Sequence, residues 1–355
     1  MPLVLDVRRG PTYDSRAAPH PRQPAHAYQP GIEIEGQRGC HAGTERLSVG
    51  SVPLLNLWIG AVALGLAFAA SALGVFITFR VLAFPDLTVD GSFPLGAAVC
   101  AVLLTRGWDP WLSLFAAAGA GALAGAATAL LNSRLKINGL LAGILVSIGL
   151  WTVNLRVMQD KANLPLLTVE TVLNPVRPYL SDANMRGVAV FGVATVLLGL
   201  LLYWLLHTDL GLALRATGEN EKMVRAQGIN ADLMRLIGLA LANGLVAFSG
   251  GLVAQFQGFA DVGMGLGMIV AGLAAVIIGE TLLRPRGIGS ALLAVAAGSV
   301  IYRAVIAGAL FIGLGPTDMR LVTSLIVIVA LAVPQLRALV MPRSLAVSAA
   351  GPARP

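Results

Sequence analysis

The chain has 355 residues, 56% of them hydrophobic and 12% charged, and carries a formal net charge of +7. The charged share is about half that of an ordinary soluble chain, which excludes a water-soluble fold. The positive balance does not mark a nucleic-acid binder, because the Lys and Arg residues sit in short stretches between apolar runs rather than on one polar face.

Residues 1–50 mix Pro, Arg, Gly and His without apolar clustering, the composition of a disordered segment. The first apolar run begins near Pro53, too late for a secretory signal. The tail is therefore expected to be dispensable for insertion and transport, with the working start of the protein lying after it. Charge-free runs then cover 50–79, 110–133, 137–155, 187–208 and 236–260, with a shorter one over 321–336. A helix needs about 20 apolar residues to cross the hydrocarbon, and these runs lack the alternation of barrel strands. The pattern predicts an all-α, polytopic transmembrane helix bundle of about 8–10 spans. Candidate helices fall at 53–79, 91–105, 110–131, 138–157, 187–206, 236–258, 266–283, 288–305 and 320–337. A membrane domain over 51–340 follows, with a C-terminal tail over 341–355. The long connections are 158–186 and 207–235, where function tends to concentrate.

Alternate connections differ in positive charge. One set holds Arg80, Arg134, Lys136, Arg215, Lys222, Arg225, Arg235, Arg284, Arg286, Arg337 and Arg343; the other holds Arg106, Arg156, Lys161, Arg177, Arg186 and Arg320. The richer set is assigned to the cytoplasm, which places 207–235 inside and 158–186 outside.

Between the first two spans, Phe84-Pro85-Asp86-Leu87-Thr88-Val89-Asp90-Gly91-Ser92-Phe93-Pro94 interrupts the apolar sequence. Two prolines and two carboxylates oppose a continuous helix, and broken backbone at membrane depth survives only against protein or a water-filled cavity. Asp86, Thr88, Asp90, Ser92 and Phe93, with Asn243 from a later span, are candidate lining groups of a solute path. The two carboxylates equally suit a plain structural turn. Arg303 and Asn243 could each meet a solute or satisfy a neighbouring backbone group.

The cytoplasmic stretch Gly211-Leu-Ala-Leu-Arg215-Ala-Thr-Gly218-Glu219-Asn220-Glu221-Lys222-Met223-Val-Arg225-Ala-Gln-Gly228-Ile-Asn230 carries the most information. It predicts one short helix between Gly218 and Gly228, with Glu219 and Glu221 at its start and Lys222 and Arg225 toward its end, as the helix dipole favours. Such a helix suits a groove on a soluble partner. On physical grounds alone an ordinary charged loop explains it as well.

This stretch resembles the coupling loop of permeases of the branched-chain-amino-acid and ribose import family of ABC transporters, whose pattern runs R-A-x-G-[ED]-[ND] and then G-[IV]-[ND]. Arg215, Gly218, Glu219, Asn220, Gly228, Ile229 and Asn230 fit, while Met223 stands where a small residue is common. Phe84 to Pro94 and Gly315-Pro316-Thr317-Asp318-Met319-Arg320 resemble a narrower group, the permeases of tryptophan-type importers. The resemblance covers about residues 60 to 340. It implies a permease that passes a small organic solute, an amino acid such as tryptophan or a relative, across the bacterial inner membrane. It also implies separate ATPase subunits docking on Arg215 and 218–228, an extracytoplasmic solute-binding protein and a second permease chain, most simply a second copy. No cofactor and no catalytic residue of its own is implied, and the chain lacks a G-x-x-x-x-G-K-[ST] phosphate loop.

An ion-coupled secondary transporter is the alternative, and it would place carboxylates, His or Lys in mid-span, where the sequence shows almost none. A membrane enzyme would need convergent acid, base or metal groups. His20, His26 and His41 lie in the tail and His207 at a helix end. Cys40 and Cys100 offer neither a disulfide framework nor metal-ligand spacing. Glu280 is expected to pair locally with Arg284 or Arg286. Gly121 and Gly125 are expected to form a close-packing face. The runs 141–149 and 270–279 are loosely alike and cross in opposite directions, as in an inverted repeat.

Overall fold

The computed structural model describes residues 54–314, together with 321–326, 328 and 332. The tail 1–50, the segment 315–320, most of the final span and the C-terminal tail lie outside the described residues.

The chain folds as helices α1 (Leu54–Phe76), α2 (Val89–Thr105), α3 (Pro110–Arg134), α4 (Gly139–Val157), α5 (Ala183–His207), α6 (Asp209–Glu219), α7 (Glu221–Ala226), α8 (Ala231–Gln257), α9 (Met268–Leu283) and α10 (Ile288–Phe311). A π turn over Ile77–Val81 extends α1. Seven of the described helical segments are long and apolar enough to cross a membrane, and α2 is a shorter apolar helix. The bundle is the one expected from the apolar runs. Several helices overrun the charge-free windows. α8 starts at Ala231 rather than 236 because Asn230 caps it, its side chain accepting from the Asp232 and Leu233 amides at 3.1 and 3.2 Å. α3 starts likewise on Asp109, which accepts from Trp111 at 2.9 Å, with Pro110 in the first turn.

α1 and α8 are the inner helices, 72% and 78% buried along their apolar windows, whereas α4 is 22% buried and faces outward. Lipid offers no hydrophobic drive between helices, so close contact rests on small residues. Gly121 and Gly125 of α3 meet the α8 backbone at Asn243 and Leu239 with no room for a side chain, which is the expected packing face. Outside the membrane, β1 (Asn163–Pro165) and β2 (Phe259–Asp261) pair antiparallel and join the long outer loop to the end of α8. Gln255 fastens the same loop, its side-chain oxygen accepting from the Val172 amide at 2.8 Å.

Two helices begin within the bundle. Ser92 near the start of α2 bonds to Asn243, which is about 18 Å along α8 from Ala231. The first amides of α9 meet the Asp90 carboxylate, which accepts from the Ile269 amide at 2.9 Å. The starts of α2 and α9 thus lie side by side within the bundle. Asp90 neutralises part of the positive end of the α9 dipole there.

Candidate functional site

The segment 207–235 differs from the single helix expected. Asn220 takes an extended conformation (φ −152°, ψ 93°) and splits it into α6 and α7. The Asn220 side chain accepts from the Met223 amide at 3.1 Å, so it caps α7 as Asn230 caps α8. Both asparagines belong to the quoted pattern, and capping is the reason their short side chains suit those positions. Gly228, with φ +84°, ends α7: its amide donates to Arg225 O at 3.1 Å and the Ile229 amide to Val224 O at 3.2 Å. That pair of bonds is a Schellman turn, and Ile229 follows buried Val224 as its apolar contact.

Two expectations fail here. Gly218 does not bound the short helix; it lies inside α6, and a Cβ there would overlap the Val81 carbonyl. The glycine is needed for a close crossing over the π turn, not for a left-handed backbone. Glu219 is the last residue of α6, so it sits at a helix C-terminus where the dipole opposes a negative charge. Only Glu221 lies in the first turn of α7.

The bend between α7 and α8 is braced by charge. Arg225 donates to Glu221 at 2.9 Å and to Asp232 at 2.7 Å, and Arg235 reaches the other Glu221 oxygen. Glu221 and then Asp232 hold the Arg225 guanidinium above its usual pKa, so it remains charged. Arg215, Lys222 and Met223 are exposed, Met223 to 58%. Beside α6 lies a groove of about 720 Å³ lined by Arg80, Arg215, Arg284 and Arg286 with Glu219 and Glu280. Glu280 pairs with Arg80 at 2.8 Å rather than with its sequence neighbours. The chain turns away after it, with Arg284 at φ +43°.

The candidate path residues divide into two groups. Asp86, Thr88, Ser92 and Asn243 are fully buried and bonded to one another. Asn243 Nδ2 donates to Asp86 at 2.6 Å and to Leu239 O at 3.0 Å. Ser92 Oγ donates to Asn243 Oδ1 at 2.7 Å, and the Thr88 amide donates to Asp86 at 2.9 Å. The Thr88 hydroxyl shares a 2.7 Å bond with Thr128 of α3. The Asp86 carboxylate at the break is thus buried, and its hydrogen bonds are taken up by protein. Phe93 belongs elsewhere: its ring stacks on Phe68 at 5.4 Å and lines a cavity of about 600 Å³ that also touches Arg303 and Tyr302. Sequence reasoning missed Phe68, Tyr302 and Gln255, none of which departs from the look of an ordinary apolar or helix-end residue.

Seven described helical segments long and apolar enough to cross a membrane, with a braced helical elbow between two of them, define a polytopic membrane protein. Residues 58–332 match the family described as the branched-chain amino acid transport system permease component, and the chain belongs to that family. It is 39% identical over 267 residues to the tyrosine transport system permease protein of Clostridioides difficile (strain R20291), covering 75% of this chain and 88% of that one. An uncharacterized protein of Rickettsia prowazekii (strain Madrid E) is 34% identical over 78% of this chain and 97% of its own. The galactofuranose transporter permease of Escherichia coli (strain K12) is 26% identical over 71% and 72%. The chain is thus a multi-pass inner-membrane permease of an ATP-binding-cassette importer for small organic solutes, and not an enzyme.

Proposed function

We propose that this permease passes an aromatic amino acid, tyrosine, tryptophan or a close relative, and that α6 and α7 carry the drive from separate ATPase subunits. The observation that carries the coupling role is the build of the elbow. Two asparagine caps, a Schellman turn and a four-residue charge cluster hold α7 rigidly on α8 while leaving Met223 and Lys222 exposed, which suits a docking helix. The amino-acid solute is supported by the 39% identity to the tyrosine permease. An extracytoplasmic binding protein would meet the outer loop and the β1–β2 pair, and a second permease copy would complete the two-sided dock for the ATPases. Of the candidate path residues, Phe93 lines the path, while Asp86, Thr88, Ser92 and Asn243 hold the broken start of α2 behind it and Asp90 holds the start of α9.

The test is reconstitution of the permease with its ATPase and binding protein in liposomes, followed by labelled tyrosine and tryptophan uptake. Accumulation that requires ATP is expected. Uptake that follows an imposed ion gradient without ATP would overturn the coupling role, and absence of uptake for both amino acids would overturn the solute.

A further inference from the structure

Arg303 lies in the middle of α10, an apolar helix that crosses the membrane. A guanidinium at that depth is costly unless it is paired, and arginines so placed face a bundle interior or a cavity. Its Cζ sits 3.4 Å from the centroid of the Phe68 ring, and Phe68 stacks in turn on Phe93. The cation is held flat on an aromatic column, which fixes the direction of its donor fork.

Among the described residues, the buried Nε of Arg303 finds no acceptor, and the hydroxyl of Ser71 in the same small void finds no partner. That void has room for only about 10 Å³, at the lower limit of what one water requires. No described carboxylate lines either cavity that touches Arg303, and Asp90, Asp86 and Glu280 are committed to the Ile269 amide, Asn243 and Arg80. On its other side Arg303 borders the cavity of about 600 Å³, whose wall runs from Phe68, Phe93 and Met268 at depth to Gln257 and Leu266 at the outer end of α8 and the turn before α9. By the charge-based topology this cavity opens to the extracytoplasmic side.

We propose that Arg303 is the carboxylate-binding group of the entry cavity. A solute with one carboxylate and an apolar or aromatic body would place its acid on the guanidinium fork and its body along Phe68, Phe93 and Tyr302. The guanidinium geometry matches a carboxylate bidentately, and the cavity volume lies in the range of small-molecule sites. This deepens the amino-acid reading by naming the solute group that the membrane subunit itself recognises.

Photolabelling of the assembled permease–ATPase complex in liposomes tests it. Three probes are compared: 4-azido-L-phenylalanine, its carboxamide, and 3-(4-azidophenyl)propionate, which keeps the acid and lacks the amine. Both acids should label the wild-type complex at least about tenfold more than the carboxamide, the ratio expected for one hydrogen-bonded charge pair. Label should map to peptides of α1, α2 or α10. Arg303→Gln should abolish the preference, and Arg303→Lys should keep part of it, since the charge stays and the fork is lost. Each ratio is taken within one preparation, so reduced folding lowers both probes alike. If Arg303→Gln fails to assemble, the wild-type and Arg303→Lys ratios decide. Equal labelling of wild type by acid and carboxamide, no labelling at all, or an unchanged preference in Arg303→Gln would overturn the proposal. Labelling by the propionate but not by the amino acid would leave the carboxylate site standing and sink the amino-acid solute. ATP-driven tyrosine uptake that is unaffected by Arg303→Gln would do the reverse.

Discussion

Replacing Asn243 with Ala removes the hub of the buried network. Asn243 makes two interhelical bonds, from Nδ2 to Asp86 at 2.6 Å and from Ser92 Oγ to Oδ1 at 2.7 Å, besides a local one to Leu239 O. Ser92 keeps its 3.0 Å bond to Thr88 O and Asp86 keeps the Thr88 amide, so neither is stripped of partners. An average interhelical bond in a bilayer contributes roughly 0.6 kcal/mol, and a bond to a charged acceptor about 1.5–3 kcal/mol. Asn243→Ala should therefore cost about 2–4 kcal/mol with an ionised Asp86 and about 1 kcal/mol with a neutral Asp86 carboxyl. Exchanging the pair, Asp86→Asn with Asn243→Asp, keeps one donor facing one acceptor and should recover most of the loss seen in either single variant. A double-mutant cycle from denaturant unfolding in mixed micelles reads the coupling directly. A wild-type midpoint for Asn243→Ala, or an exchanged pair no more stable than the worse single variant, would show that the network is not holding the break in place.

Gly218→Ala should lift α6 off the π turn at Val81, costing about 1–3 kcal/mol by overpacking and lowering solute-stimulated ATP hydrolysis while the spans still insert. Gly228→Ala meets no atom within 4 Å but must hold φ +84°, so about 1–2 kcal/mol is expected, with Gly228→Asn milder; thermal unfolding ranks the three. Glu221→Gln weakens the bonds of Arg225 and Arg235, a partly exposed cluster whose loss should cost under about 1 kcal/mol of stability yet reduce ATPase retention in pull-downs. Glu219→Arg should leave stability unchanged or slightly raised, because a cation suits the C-terminus of α6, but should abolish ATPase pull-down; full retention of the ATPase would remove Glu219 from the dock.

The bundle was legible because lipid imposes a long apolar run on every span, and that signal survives without tertiary context. The elbow was legible in outline and wrong in detail. Composition marks Gly218 and Gly228 as equivalent punctuation, yet one is a contact residue within a helix and the other a left-handed cap, a difference that depends on what lies across from each. The Arg80–Glu280 pair was invisible for a similar reason, since 200 residues separate its members and nearer arginines compete for the same carboxylate. The buried network was only half visible. Asp86, Ser92 and Asn243 each stood out as polar candidates, but nothing in the sequence pairs Asn243 of α8 with the other two, which lie 157 and 151 residues away.

Taken together, these contacts join the cytoplasmic elbow to the broken start of α2 along two routes. On one side Gly218 of α6 rests against Val81, at the end of the π turn, and the chain continues directly into the break at Phe84 to Thr88. On the other, Glu221 and Asp232 tie α7 to the first turns of α8, a straight helical run of 27 residues that carries Asn243 to Asp86. If ATPase subunits dock on α7, a displacement there reaches the break from both ends, through α6 and through α8. The π turn lies between them, closing α1 directly before the break. A physical coupling route of this kind is bistable only if the Asp86–Asn243 contact can open, which is why the exchange of that pair bears on transport and not on stability alone.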